Sequence, residues 1–233
     1  MAVDHLPHPL EPNNVSPQHR GIFGGTFNPP HAGHLQVAQA ALTQAGLTQV
    51  LWVPTYRPPH RRVTSLVSFE HRLEMVQQAI APFAPFHASA VEEQLAYSAG
   101  GPSFAIHTLT HLQHQYSKSH WYWILGLDAF CTLPRWRHHR ELVPQCTWLI
   151  APRSASSTTV QNKPDDFQQI EAIAHLFKSE GISLRWHLLS MPSIEISSSL
   201  IRRYCGDRLS ISGLVPIAVE DYIHRYNLYG ADS

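Results

Sequence analysis

Two histidines three residues apart, His31 and His34, follow the glycine pair Gly24-Gly25 and the turn Thr26-Phe27-Asn28-Pro29-Pro30. Glycines that close an apolar strand let backbone amides approach an anion. A helix opening near Gly33 directs its unpaired N–H groups and positive dipole end to the same place. Residues three apart on a first helical turn share a face, so both imidazoles can reach one anion. The chemistry this suggests is phosphate binding. No Gly-Lys-Ser/Thr follows and the glycine spacing is not that of a dinucleotide fingerprint, so the stretch is neither of those phosphate loops. The histidines also have the spacing of metal ligands, but no third ligand stands nearby and His-Glu-x-x-His is absent. Alone, two glycines before a helix more often make a tight turn.

Four further groups carry chemistry. Ile196 leads into Ser197-Ser198-Ser199, which opens a helix with Arg202 on its first turns; by itself such a serine run is a helix cap. Pro-rich residues 54–62 include Thr55, Arg57, His60 and Arg61, either a phosphate-receiving loop or a solvated basic one. Asp128 follows Gly126 at a strand end, suited to a ribose hydroxyl or to capping a helix. Trp136 can stack on a flat ring or pack.

The elements that must hold these groups alternate. Residues 19–24 read as a first strand. Leu35, Ala38, Leu42 and Ala45 then recur at helical spacing up to Gly46, and 49–53 is the next strand. Phe69, Leu73, Val76 and Ile80 mark a helix, 86–88 a short strand, and 97–102 a turn. Ala105, Leu109, Leu112 and Tyr116 mark another helix, followed by strands over 121–125, 147–151 and 184–189. Closing helices are expected over 198–205 and 216–228, the last with Pro216 in its first turn and Val219, Ile223 and Tyr226 inward. Strand–helix alternation predicts an α/β, doubly wound, Rossmann-like parallel sheet with helices on both faces, and ligands beyond the carboxyl ends of its strands.

Composition bounds the rest. The 233 residues suffice for one domain, expected over 19–230, with a disordered tail over 1–18 and a polar surface insertion near 153–166. No apolar run is long enough for a membrane span, and the start lacks the pattern of a signal peptide. Cys131, Cys146 and Cys205 have no metal or disulfide spacing, which fits a cytoplasmic protein. Zero net charge argues against nucleic acid as partner. Of the basic residues 14 are Arg and 3 are Lys, and Arg is the better planar partner for phosphate and carboxylate.

Residues 24–34, Gly-Gly-Thr-Phe-Asn-Pro-Pro-His-Ala-Gly-His, resemble the first signature of the nucleotidyltransferase superfamily. Residues 196–202, Ile-Ser-Ser-Ser-Leu-Ile-Arg, resemble its second. Within that superfamily the chain is similar to the bacterial nicotinate-nucleotide adenylyltransferases from about Gly21 to Tyr229. Pro58-Pro59-His60-Arg61 resembles their Pro-Pro-His-Lys loop, Arg72 and Met75 their Arg-x-x-Met, and Pro102-Ser103-Phe104 their Pro-Ser-Tyr-Thr. Gly126-Leu127-Asp128 with Trp136 matches their Gly-x-Asp and tryptophan segment. The chain departs at Asn28, where Asp is frequent, at Arg61 for Lys, and at Phe104 and Ala105 for Tyr and Thr beside the pyridine position.

The resemblance implies attack by the phosphate of nicotinate mononucleotide on the α-phosphorus of ATP, releasing pyrophosphate, with Mg²⁺ held mainly by the ATP phosphates and no resident metal. It implies catalytic roles for His31, His34 and Arg202. ATP would meet Gly24, Gly25, Thr26, Phe27, Gly126, Asp128, Ile196, Ser198 and Ser199. The mononucleotide would meet Asn28, Thr55, Arg57, His60, Arg61, Phe104 and Trp136. Rival readings are a nicotinamide-mononucleotide or pantetheine-phosphate adenylyltransferase, and a nucleotide-binding module without catalysis. Neither the oligomeric state nor the acid-over-amide preference is legible.

Overall fold

In the computed structural model, successive strand residues face opposite cores, and this period of two is what builds the sheet. The structure describes residues 17–58, 66–99, 101–152, 166–192 and 195–230. The strands are β1 Gln18–Gly25, β2 Gln49–Pro54, β3 Phe86–Ala88, β4 Ser119–Gly126, β5 Cys146–Ala151 and β6 Arg185–Leu188. All pair in parallel, in the order β3-β2-β1-β4-β5-β6. Phe23, Val50, Trp52, Ile124 and Leu149 point to one core; Ile22, Leu51, Val53, Trp123, Trp148 and Ile150 point to the other.

Helices cover both faces. On the first lie α1 Ala32–Gln44 and α2 Phe69–Ile80. On the second lie α3 Val91–Ala99, α4 Ala105–Gln115, α5 Leu127–Phe130, α6 His139–Leu142 and α7 Asp166–Ser179. The closing helices α8 Ser198–Gly206 and α9 Ile217–Arg225 return to the first face through Ile201, Val219 and Ile223. Parallel strands buried on both faces with helices either side are the expected doubly wound sheet. Gly46, at φ +58, ends α1 where the sequence places its stop.

Three local expectations need correction. Helix α3 occupies 91–99, where the sequence suggests only a turn from 97; its exposed Tyr97 and the nearby glycines hide the apolar contacts of Val91 and Leu95. On α2 the buried stripe runs through Arg72 and Met75, with Leu73 only partly buried. On α9 Tyr226 is half exposed and rests on the ring of Tyr222, so Tyr222 takes the inward place.

Candidate active site

The two central strands part at their carboxyl ends. Pairing of β1 with β4 runs from Gln18 and Ser119 to Phe23 and Ile124. Beyond that, Gly24 and Gly25 pair with Val53 and Pro54 of β2, while Leu125 and Gly126 pair with Ile150 and Ala151 of β5. The strand order reverses at this point, so the parting opens the crevice where doubly wound sheets hold ligands. A cavity of about 450 Å³ lies here, walled in part by Gly24, Gly25, Thr26, Thr55, Phe104 and Trp136.

The turn after β1 is held by aromatic packing. A Cβ on Gly25 would crowd the Phe27 ring at 3.0 Å, so that ring would have to give by a few tenths of an ångström; at Gly24 it would meet Trp123 at an ordinary 3.7 Å. Phe27 itself stands at φ +49, a left-handed conformation unfavourable to a bulky residue. Its ring is buried against Phe23, Trp52 and His34, and that packing keeps it there. Only the backbone of Phe27 is therefore left to meet a ligand.

His31 and His34 come together as a stack, with ring centroids 3.6 Å apart and planes at 28°. His34 Nδ1 accepts the backbone N–H of His31 at 3.1 Å. A neutral ring accepting at Nδ1 carries its proton on Nε2, so His34 is a hydrogen-bond donor through Nε2. Burial lowers the His31 pKa to about 4, and burial with the neighbouring His31 holds His34 well below its ordinary value. Both are neutral near pH 7. His31 Nδ1 is buried without a hydrogen-bond partner among the described residues, a cost retained at this site. The amide of Ala32 is bonded to the Leu214 carbonyl at 3.0 Å, so not every first-turn amide of α1 stands open to an anion.

The second signature lies directly on the first. Ser197 caps α8, its Oγ accepting from the Leu200 amide at 3.1 Å. The Ser198 hydroxyl donates to the Pro29 carbonyl at 2.8 Å, and Arg202 donates to the Asn28 carbonyl at 2.8 Å and to Ser199 Oγ at 3.1 Å. Ile196 packs against the first core. Asn28 is 3% exposed; its Oδ1 accepts from the Tyr229 hydroxyl at 2.8 Å and the Val67 amide at 3.4 Å, and its peptide with Pro29 is cis. Asp128 is exposed in the first turn of α5, just after the Gly126 cap.

Around the cavity, Trp136 is fixed by its indole N–H, which donates to Thr132 Oγ1 at 2.9 Å, and by edge contacts with Trp123 and Trp148. Arg57 and Ser103 join their loops through two hydrogen bonds, Arg57 N–H to Ser103 Oγ at 3.2 Å and Ser103 N–H to the Arg57 carbonyl at 3.1 Å. His60 and Arg61 lie outside the described residues, as do 1–16 of the expected tail and 153–165 of the expected insertion.

Five residues that shape the site were not singled out for it by sequence reasoning. Arg72, 1% exposed, donates to the carbonyls of Thr26, Thr55 and Val67 at 2.9, 2.7 and 3.2 Å, tying together the strand ends and the start of α2. Its signal was the Arg-x-x-Met match alone. Glu92 accepts from the Tyr56 amide at 2.9 Å and Thr108 Oγ1 at 3.4 Å; burial raises its pKa against those hydrogen bonds. Nothing marked it, because α3 was not foreseen. Tyr229 reaches Asn28 from the last turn of the fold, across 201 residues of chain. Arg135 and Arg137 line the cavity either side of Trp136, and the Arg-Trp-Arg triplet was their clue.

Comparison with known proteins agrees with this geometry. The cytidylyltransferase-like family model matches residues 22–204. A protein of Trichormus variabilis named "Probable nicotinate-nucleotide adenylyltransferase" is 43% identical over 216 residues, 93% of this chain and 99% of that protein. One of the same name from Gloeobacter violaceus is 39% identical over 210 residues, 90% of this chain and 95% of that protein. Among solved structures, the nicotinic acid mononucleotide adenylyltransferase of Plasmodium falciparum complexed with NaAD matches with a TM-score of 0.67. It is 22% identical, over 91% of this chain and 97% of that one, which is a likeness of fold. The chain belongs to the cytidylyltransferase-like family and, within it, to the nicotinate-nucleotide adenylyltransferases.

Proposed function

We propose that the protein transfers the adenylyl group of ATP to nicotinate mononucleotide, forming deamido-NAD and pyrophosphate in NAD biosynthesis. The observation that carries this reading is the contact of the two signatures, Arg202 and Ser198 on the carbonyls of Asn28 and Pro29, at the sheet's switch point. The relatives' name supports the acceptor.

A mononucleotide phosphate is anionic near neutral pH, so attack on the α-phosphorus needs no general base from the protein. The phosphate oxygen forms the new P–O bond as the bond to the leaving pyrophosphate breaks. The chain's part is in-line positioning and charge stabilisation. His34, neutral with its proton on Nε2, donates to a phosphate oxygen with His31 stacked behind it; Arg202 and the amides opening α8 at Ser198 and Ser199 meet the triphosphate from the other side. Gly24, Gly25, Thr26 and Phe27 contribute backbone, while Gly126, Asp128 and Ile196 form the adenosine side. Thr55, Arg57, Phe104 and Trp136 take the mononucleotide, and the resemblance assigns His60 and Arg61 to its phosphate; Asn28, expected there from the sequence, is instead buried with its side chain bonded to Tyr229 and Val67. Among the described residues no group of three or more His, Cys, Asp or Glu converges on a metal position. Mg²⁺ is assigned to the phosphates of ATP, where it would neutralise charge on the leaving group.

We place this unit over 18–230, since β1 begins at Gln18 where the sequence lets the tail run to residue 18, and in the cytoplasm on the spacing of its three cysteines. No helix among the described residues is long and apolar enough to cross a membrane.

The test supplies Mg²⁺-ATP with nicotinate mononucleotide, nicotinamide mononucleotide or phosphopantetheine and measures pyrophosphate. Release with nicotinate mononucleotide is expected. Release with phosphopantetheine alone would overturn the acceptor, and no release with any would favour a binding module.

A further inference from the structure

The cavity of about 450 Å³ carries a cationic feature that the family signatures do not account for. Its wall includes Arg135, Trp136, Arg137 and Phe104, and the Arg137 guanidinium lies over the Phe104 ring at 4.9 Å from the centroid. A guanidinium over an aromatic face gains a cation–π contact, and its planar N–H edge remains able to donate elsewhere. That edge matches the two oxygens of a carboxylate. A carboxamide offers one acceptor and two donors, and the donors meet only other donors on Arg.

The acidic residue of the wall, Glu92, is already engaged and does not stand free to cancel this cation. Glu92 already receives the Tyr56 amide and the Thr108 hydroxyl. Burial raises its pKa, so its negative charge is disfavoured there. Trp136 stands in the same wall, pinned by Thr132, as a flat surface for a pyridine ring. The cavity therefore places an aromatic plane beside a positioned guanidinium.

We infer that Arg137, carried on Phe104, is the residue that reads the carboxylate of the pyridine and sets preference for the acid mononucleotide over the amide. This rests on the assignment of the cavity to the mononucleotide. It also gives Phe104 a purpose where the related proteins have Tyr: the ring supports the guanidinium instead of offering a hydroxyl.

The experiment compares Arg137→Gln, Arg137→Lys, Arg135→Gln and wild type, measuring kcat/KM for both mononucleotides, KM for ATP, and direct binding of each mononucleotide by calorimetry. Loss of one charge-assisted pair predicts a fall of about 10- to 100-fold for the acid in Arg137→Gln. The amide and ATP values should stay near wild type. Arg137→Lys should recover part of the loss, since it restores charge without the planar edge. An acid-to-amide ratio unchanged in Arg137→Gln, an equal loss for both acceptors, or a ratio that collapses only in Arg135→Gln would each overturn the inference. Calorimetry keeps the two levels apart. Acid-selective binding that depends on Arg137, without turnover, would support the inference and sink adenylyl transfer.

Discussion

Arg202 donates at 2.8 Å to the backbone carbonyl of Asn28, joining two segments 174 residues apart. The bond is made wholly by protein groups and ties together the two halves of the proposed triphosphate clamp. Such preorganisation avoids reorganisation during the reaction. Arg202→Gln should lower kcat by about 10²- to 10³-fold. Thermal melting checks that the fold persists; an unchanged kcat in a folded variant would remove Arg202 from the catalytic set.

His34→Ala removes the Nε2 donor and frees the His31 amide that it accepts. Turnover should fall by about 10²-fold or more, the usual cost of one such donor. Steady-state kinetics on protein with native far-ultraviolet circular dichroism decides it. Wild-type turnover in that variant would contradict the role.

The buried histidines also make stability depend on pH. His31 is held at about 4 in the fold against an ordinary 6.5, so the unfolded chain binds the proton more readily. The neutral folded form is therefore favoured above about 6.5, and that advantage is lost as pH falls toward 4. The shift corresponds to roughly 3 kcal/mol. Urea midpoints at pH 7.5 and pH 5 should differ more for wild type than for His31→Gln; equal differences would show that His31 is not the group responsible.

Much of the fold was legible because the central strands, buried on both sides, write apolar runs such as 50–53 and 148–150, and the short edge strands β3 and β6 lie within the stretches expected. The candidate site was legible where short motifs carry it, at residues 24–34 and 196–202. What the motifs could not show is how these residues satisfy one another. Asn28, a candidate ligand group by sequence, is turned inward to Tyr229 and Val67. The histidines, two open imidazoles on a helix face by spacing, are stacked, and one accepts the other's amide. Arg72 breaks the hydrophobic pattern of α2, and such a pattern offers no reason to expect a buried guanidinium.

That guanidinium gives a further test. Arg72→Met keeps bulk but leaves the Thr26, Thr55 and Val67 carbonyls without their donor. Unsatisfied buried carbonyls cost about 1–3 kcal/mol each, so a loss of at least about 2 kcal/mol in the urea titration is expected. Arg72→Lys should restore only part of it, since one ammonium cannot span the three. An unchanged midpoint in Arg72→Met would deny Arg72 its structural place.

Tyr229→Phe isolates the tie between the end of the fold and the first turn. It removes the 2.8 Å bond to Asn28 Oδ1 and little else. A loss of about 1 kcal/mol is expected from equilibrium unfolding. No loss would mean that Asn28 is satisfied without Tyr229.

Adenylyl transfer breaks the bond between the α- and β-phosphoryl groups of ATP and passes the AMP moiety to nicotinate mononucleotide. ATP labelled at the α-phosphorus or at the γ-phosphorus distinguishes this directly. The α-label is expected in a dinucleotide product and the γ-label in pyrophosphate. Transfer of γ-label to the acceptor, or recovery of both labels in unreacted ATP, would contradict it.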